Sequence, residues 1–261
     1  MLSFQISMNG RTMAAQRHQS EADIYHVMAR GTGGQLIFED DYDYNEFLAL
    51  MAKATAECVD IYAWCLMNNH FHLLLHGPLP CVSEFMKQLL GRYARYFNMR
   101  HERRGHLFQE KFRSEPVNDN EYLFTVVKYI HTNPDRAHVG TFDTYRWSSY
   151  HEYFGRSRYC STEFVRSLFD GPEDFFAFHA ALDDEPARLG VDNRLGGRRL
   201  PSDEELIRMA TDLLGGQKLA DVKTLERTKR DGMLRRLKAG GLSIRQIERL
   251  TGISKSVVAR A

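Results

Sequence analysis

Residues 58–76 contain two apolar, β-rich runs separated only by Asn68-Asn69. An Asn-rich two-residue turn between such runs constrains the chain to an antiparallel hairpin. The second run, His70–His76 (HFHLLLH), then fixes the two sides of that hairpin. Side chains alternate across a strand, so His70, His72 and His76 share one face while Phe71, Leu73 and Leu75 form an apolar opposite face. That alternation marks the apolar face as core and sets the histidines off it. Pro78 and Pro80 close the hairpin.

The flanking segments supply the rest of a small domain. Ile24–Arg30 alternates and stops at Gly31, which reads as a strand and a glycine turn. Residues 43–56 have helical spacing, with Phe47, Leu48, Met51 and Ala52 as the inner stripe. Residues 82–100 read as a basic helix in which Tyr93, Tyr96 and Phe97 form the buried stripe. Residues 110–117 read as a strand, and 120–132 as a helix stopped by Asn133-Pro134. Strand, helix, hairpin, helix, strand, helix predicts an α+β fold with helices on an antiparallel sheet. Beyond Tyr150, residues 160–182 read as a helix, 183–199 as a linker rich in Gly, Pro and charge, and the remainder as a helical tail. The expected division is an N-terminal extension (1–20), the α+β domain (21–150), a helix and linker (151–199) and a helical region (200–261).

The net charge of +1 hides a segregation. Residues 39–60 carry seven acids against one base, Lys53, whereas residues 82–113 carry eight bases against three acids. Residues 161–205 are acidic (5 − 11 = −6) and residues 217–261 basic (12 − 4 = +8). Two basic segments separated by acidic ones suggest two polyanion-facing surfaces, or two solvated helical faces. No apolar run approaches the roughly 20 residues that cross a bilayer, and the N-terminus lacks the apolar block of a signal peptide. The cysteines Cys58, Cys65, Cys81 and Cys160 contain no CxxC pair. This spacing argues against a disulfide scaffold or a cysteine zinc site, and the expected setting is a reducing cytoplasm.

Two patterns carry chemistry. Imidazoles two residues apart on one strand face can bind a single divalent metal as neutral nitrogen ligands, although an exposed strand face also tolerates histidine. On the helix 120–132, Tyr129 and Asn133 stand four apart and point the same way, so Asn133 can supply an oxygen ligand near the tyrosine. A tyrosine hydroxyl has a free pKa of about 10 and needs deprotonation or a metal to attack; packing is the other role for such a residue.

Residues 64–75 (WCLMNNHFHLLL), 92–98 (RYARYFN), 105–109 (GHLFQ), 128–136 (KYIHTNPDR) and 145–150 (YRWSSY), taken in this order, resemble the REP-associated tyrosine transposases. These are single-tyrosine HUH transposases, related to the insertion-sequence 200/605 group. The resemblance covers roughly residues 21–150. It implies a ferredoxin-like fold that binds single-stranded or hairpin DNA, and cleavage giving a 5′-phosphotyrosine and a free 3′-hydroxyl. Carried across, His70 and His72 are the metal pair, Tyr129 the nucleophile and Asn133 the further ligand, with Mg²⁺ or Mn²⁺ as cofactor. Asn69 departs from the Pro common there, and His131-Thr132 from the usual apolar pair; neither is expected to touch the nucleophile or ligands. Arg92, Arg95, Arg100, Arg103, Arg104, Lys111 and Arg113 fit a phosphate-tracking surface.

In the tail, Ser243 to Gln246 reads as a capping box, and Ile244, Ile247 and Leu250 as a stripe ending at Thr251-Gly252. Ser254 then caps a second short helix. Helix, glycine turn, helix suggests a helix-turn-helix in which Arg245 and Lys255 meet DNA; a plain helical hairpin fits the same pattern. The expected protein is a DNA strand transferase, monomeric or homodimeric. The rival expectations are a non-catalytic DNA-binding regulator and a metal-dependent phosphohydrolase.

Overall fold

The computed structural model describes residues 18–54, 58–181, 194–195, 198–199 and 203–261. The expected N-terminal extension and most of the expected linker lie outside these residues. The fold is α+β, with a four-stranded antiparallel sheet at its centre. Strand β1 (Ile24–Arg30) leads to helix α1 (Asp41–Ala54), then to the hairpin β2 (Asp60–Met67) and β3 (His70–His76). Helix α2 (Leu79–Arg100) connects to β4 (Arg113–Val117), and α3 (Asn120–His131) follows. The strand order is β2-β3-β1-β4, so β1 sits between the hairpin and an edge strand. Pro116 is tolerated in β4 because that strand pairs only with β1, and a residue without an N–H fits a sheet edge.

Alternation divides the sheet into two faces. Tyr25, Val27 and Ala29 of β1 and Phe71, Leu73 and Leu75 of β3 face α1 and α2, packing with Phe47, Met51, Phe85, Leu89, Tyr93 and Phe97. Ile24, Ala63, Cys65, Met67 and Leu74 form a second core with Val126, Val127 and Ile130 of α3. The histidine face was expected to lie off the core. Instead α3 covers it, and His72 is only 3% exposed. Tyr93 and Phe97 are fully buried, while Tyr96 is packed at the edge of the core.

Two further expectations are corrected. Residues 160–182 do not form one helix but two, α5 (Glu163–Arg166) and α6 (Pro172–Ala180), after a short α4 (Asn133–Arg136) and a 3₁₀ turn (Ser149–Tyr153). Pro172 has no N–H to give a preceding turn and therefore begins a helix; Gly171 before it takes φ 155°, which favours glycine. The cysteines are not all free: Cys58 and Cys81 form a disulfide, with Cα atoms 6.1 Å apart. They are 23 residues apart in the chain, and only the hairpin, returning to the start of α2, brings them together. Cys65 and Cys160 are free and buried.

Within the expected linker, β5 (Arg194–Leu195) pairs with β6 (Arg198–Arg199). The tail then has its own core. Helices α7 (Asp203–Leu213), α8 (Arg227–Ala239), α9 (Ile244–Thr251) and α10 (Lys255–Arg260) bury Leu206, Ala210, Leu234, Leu237, Ile247, Leu250 and Val258. The capping box forms as expected: Gln246 N–H donates to Ser243 Oγ, and Ser243 N–H to Gln246 Oε1. Gly252 ends α9 with φ 68°, a left-handed cap that turns the chain into α10. Ile244, expected in the apolar stripe, is instead 39% exposed. No helix among the described residues is long and apolar enough to cross a membrane.

Candidate active site

Helix α3 starts at Asp119, whose Oδ1 accepts from Tyr122 N–H at 2.7 Å, and lays its apolar stripe on the hairpin. In its last turn, Tyr129 meets the histidine face. The Tyr129 ring lies edge-on to His72 at 5.3 Å and to His26 at 6.0 Å, and the Arg136 guanidinium lies 5.3 Å over its centre. His70 and His72 are perpendicular neighbours, 5.1 Å apart. Asn133 is buried at the head of α4, where the chain turns through Thr132. Because α3 ends between Tyr129 and Asn133, the expected four-residue helical spacing crosses a junction. The structure therefore brings Tyr129 onto His72 and places Asn133 one turn beyond, in the next helix.

His70 and His72 have defined partners. His70 Nδ1 lies 2.7 Å from Asn69 Oδ1, and Asn69 Nδ2 donates to Gly34 O at 3.3 Å. A carbonyl oxygen only accepts, so His70 carries its proton on Nδ1 and its lone pair on Nε2. Asn69, expected to touch neither the nucleophile nor the proposed ligands, thus orients His70. His72 is joined through Nδ1 to His26 Nε2 at 3.0 Å. Burial, then the neighbouring His70 and His26, push the His72 pKa well below its usual value, which favours the neutral, metal-binding form.

His26, Arg30 and Glu115 escaped the sequence reading. Register explains why. Antiparallel pairing sets Glu115 opposite His26, and Arg30 opposite His70, so residues far apart in sequence share one pleat face. A cleft of about 90 Å³ opens there, walled by Met28, Arg30, His70, His72, Gln109 and Arg113. The alternating pattern of IYHVMAR, with His26 and Arg30 on one side, is the only sequence signal that pointed to them.

Arg113 lies at the cleft, with exposed Lys111 before it. Arg92 and Arg95 are exposed on α2, in the layer opposite the histidine face. Arg100, expected at phosphate, holds Asp40 and Asp43 at 2.6 Å each and ties α2 to α1. Arg103 donates to Gln35 Oε1, and Arg104 is exposed on the following loop. In the tail, Lys255 sits 3.6 Å from Glu248, and the Arg245 side chain lies outside the described residues.

His131 also has a role the sequence did not disclose. It is fully buried, with Nδ1 2.9 Å from His179 Nε2 and Nε2 2.9 Å from Ser149 Oγ. The expected apolar position is therefore filled by an imidazole that links α3 to α6 and to the Ser149–Tyr153 turn.

Residues 20–133 match the family described as "Transposase IS200 like". This stretch is IS200-like. The IS200-like segment contains all four central strands and ends on Asn133, so His70, His72 and Tyr129 fall inside it. The chain is also similar to a solved REP-associated tyrosine transposase bound to a REP hairpin. That similarity has a TM-score of 0.47 at 14% identity, covering 69% of this chain and 98% of that one. No curated protein matches the sequence.

Proposed function

We propose that the IS200-like domain cleaves and rejoins single-stranded or hairpin DNA through Tyr129. The observation that carries this reading is the Tyr129 ring packed edge-on against His72, on the face that also holds His70. Attack by Tyr129 Oη forms a phosphorus–oxygen bond and breaks the bond to the 3′-oxygen. The phenolic proton leaves, the 3′-oxygen takes one up, and the 5′-phosphate stays on the tyrosine. One phosphodiester replaces another, so rejoining needs no nucleotide cofactor.

His70 and His72 offer a divalent metal two imidazoles on one strand face. Among the described residues there is no cluster of three or more His, Cys, Asp and Glu side chains that could hold a metal ion. The candidate set is instead two imidazoles, His70 and His72, with the amide oxygen of Asn133. Two imidazoles with one amide oxygen suit Mn²⁺ better than Mg²⁺, which prefers oxygen ligands, and leave positions for phosphate oxygens. When bound, the metal would polarise the scissile phosphate and offset charge on its oxygens. Arg30 and Arg113, at the cleft, are placed to hold the backbone of the strand.

The test is covalent capture. Wild-type protein incubated with Mn²⁺ and labelled hairpins should retain label through phenol extraction, and Tyr129→Phe should lose that adduct at least 100-fold while binding the strand nearly as well. A Phe variant that still forms the adduct would remove Tyr129 from the chemistry. Wild-type protein that binds hairpins but forms no adduct would favour a non-catalytic regulator; cutting without an adduct would favour a phosphohydrolase.

A further inference from the structure

A neutral imidazole carries one N–H and one lone pair, so only one proton lies between His26 Nε2 and His72 Nδ1, 3.0 Å apart. Which ring owns it decides which nitrogen of His72 bears the other lone pair. His26 is completely buried, and its Nδ1 has no hydrogen-bond partner among the described residues. The nearest charged atom to that nitrogen is Glu115 Oε2, at 3.9 Å. This is too long for a direct hydrogen bond and short enough for a charge to select the orientation of an N–H dipole. Tyr122 Oη donates to the same carboxylate oxygen at 3.2 Å and anchors it.

Two arrangements satisfy the pair. In one, His26 turns its N–H toward Glu115, its Nε2 accepts from His72 Nδ1–H, and His72 keeps a lone pair on Nε2. In the other, His26 turns a lone pair toward a carboxylate and donates to His72, leaving His72 with an N–H where a ligand atom is needed. The first sets a positive hydrogen against a negative charge; the second sets two electron-rich groups against each other in a buried site.

We infer that Glu115 and His26 are positioning residues that hold His72 in the Nδ1–H tautomer, with Nε2 available to a divalent cation. Asn69 does the same for His70 by a direct hydrogen bond. The two imidazoles are thereby matched by different devices, one local and one relayed across three strands. A carboxylate behind a ligand histidine is a common means of fixing a metal site, and here an intervening imidazole extends its reach. The use of the lone pair rests on the metal reading above; the tautomer does not.

The experiment follows the imidazole nitrogens of metal-free, ¹⁵N-histidine-labelled protein at pH 8. The wild type should give Nδ1–H spectra for His26, His70 and His72. Glu115→Gln should convert His72 to a tautomer mixture and weaken Mn²⁺ binding, measured by calorimetry, by about 10–100-fold. Glu115→Asp, which keeps the charge, should restore most of both. Glu115 is partly exposed, so these variants are expected to keep the wild-type circular dichroism. His26→Phe should lose the Mn²⁺ affinity to the same degree. The inference is overturned if wild-type His72 is an Nε2–H tautomer, or if Glu115→Gln leaves its spectrum unchanged. Wild-type protein with the Nδ1–H spectra but no Mn²⁺ binding would overturn the metal reading and support the relay.

Discussion

Tyr122 and Tyr129 stand about two turns apart on one helix, and their surroundings separate their chemistry. Burial and the neighbouring Glu115 carboxylate push the Tyr122 hydroxyl up to about 12, because an anion beside a carboxylate is doubly penalised. Tyr129 faces imidazoles and Arg136 instead. The same logic applies to the buried histidines behind the site. Burial lowers His131, and then His179 beside it lowers it further; burial brings His179 to about 4. Both stay neutral when folded, whereas unfolded histidine titrates near about 6.5. Below that value the unfolded chain binds protons that the fold refuses, so stability is full above about pH 6.5 and declines toward pH 4. Each such histidine contributes a slope of up to about 1.4 kcal/mol per pH unit. Replacing His179 with Phe should flatten the pH dependence of urea midpoints between pH 6.5 and 4.5 by one proton; an unchanged slope would mean His179 is protonated in the fold. From the sequence, the shared strand face of His70 and His72 was legible because the strand period is local, whereas Tyr129 stood out only through the family resemblance. His26, Glu115 and His179 were not legible, since each meets its partner only through register or packing 46 or more residues away.

At the scale of elements, a strongly basic helix proved to be two things. Its apolar stripe was readable from spacing, but its arginines divide according to the acids folding brings near. Asp40 precedes α1 and Asp43 lies in its first turn, and Asp43 is fully buried, so Arg100 satisfies a carboxylate that would otherwise be stranded. Arg113, on an edge strand at the cleft, neutralises no buried carboxylate among the described residues; its charge only helps, after His26, to lower the pKa of the half-buried Glu115. The two should separate by experiment. Arg100→Ala should destabilise the protein by about 1–3 kcal/mol, the partly exposed ion pair and remaining His101 contact moderating the loss, without changing the salt dependence of single-strand binding. Arg113→Ala should leave the urea midpoint nearly unchanged and lower the log–log salt slope by about 0.7, the value for one lost phosphate contact. Melts and binding titrations at several salt concentrations check both, and the opposite pattern would return Arg100 to the DNA surface. Similarly, 160–182 read as one helix, although the break at Gly171-Pro172 was the stronger signal.

At the scale of the molecule, the basic tail has a core of its own but is not simply tethered. Lys223 pairs with Glu39, a buried carboxylate that also faces His101 at 3.5 Å. A cleft of about 550 Å³ separates Thr32, Gln35 and Arg103 of the α+β domain from Gln246, Ser254 and Lys255 of the tail. The start of α10, which would be the reading helix of a helix-turn-helix, therefore opens onto the IS200-like domain rather than away from it. Charge segregation in the sequence pointed to two basic surfaces; it held no sign that an acid of one would be neutralised by a lysine of the other. Ending the chain at Arg199 should then have two separable effects. Duplex affinity and its salt slope should fall as the tail cations leave, while covalent capture of a saturating short hairpin by Tyr129 persists. Stability should also fall, because Glu39 loses its direct ion pair with Lys223 and keeps His101 and the nearby charge of Arg103. Glu39→Gln in the shortened protein removes that charge and should recover most of the lost urea midpoint, whereas the same substitution in the full chain should lower it. Recovery in both, or in neither, would show that Lys223 and Glu39 do not couple the tail to the domain. A shortened protein that remains folded but forms no adduct at saturating hairpin would place the tail in the active site.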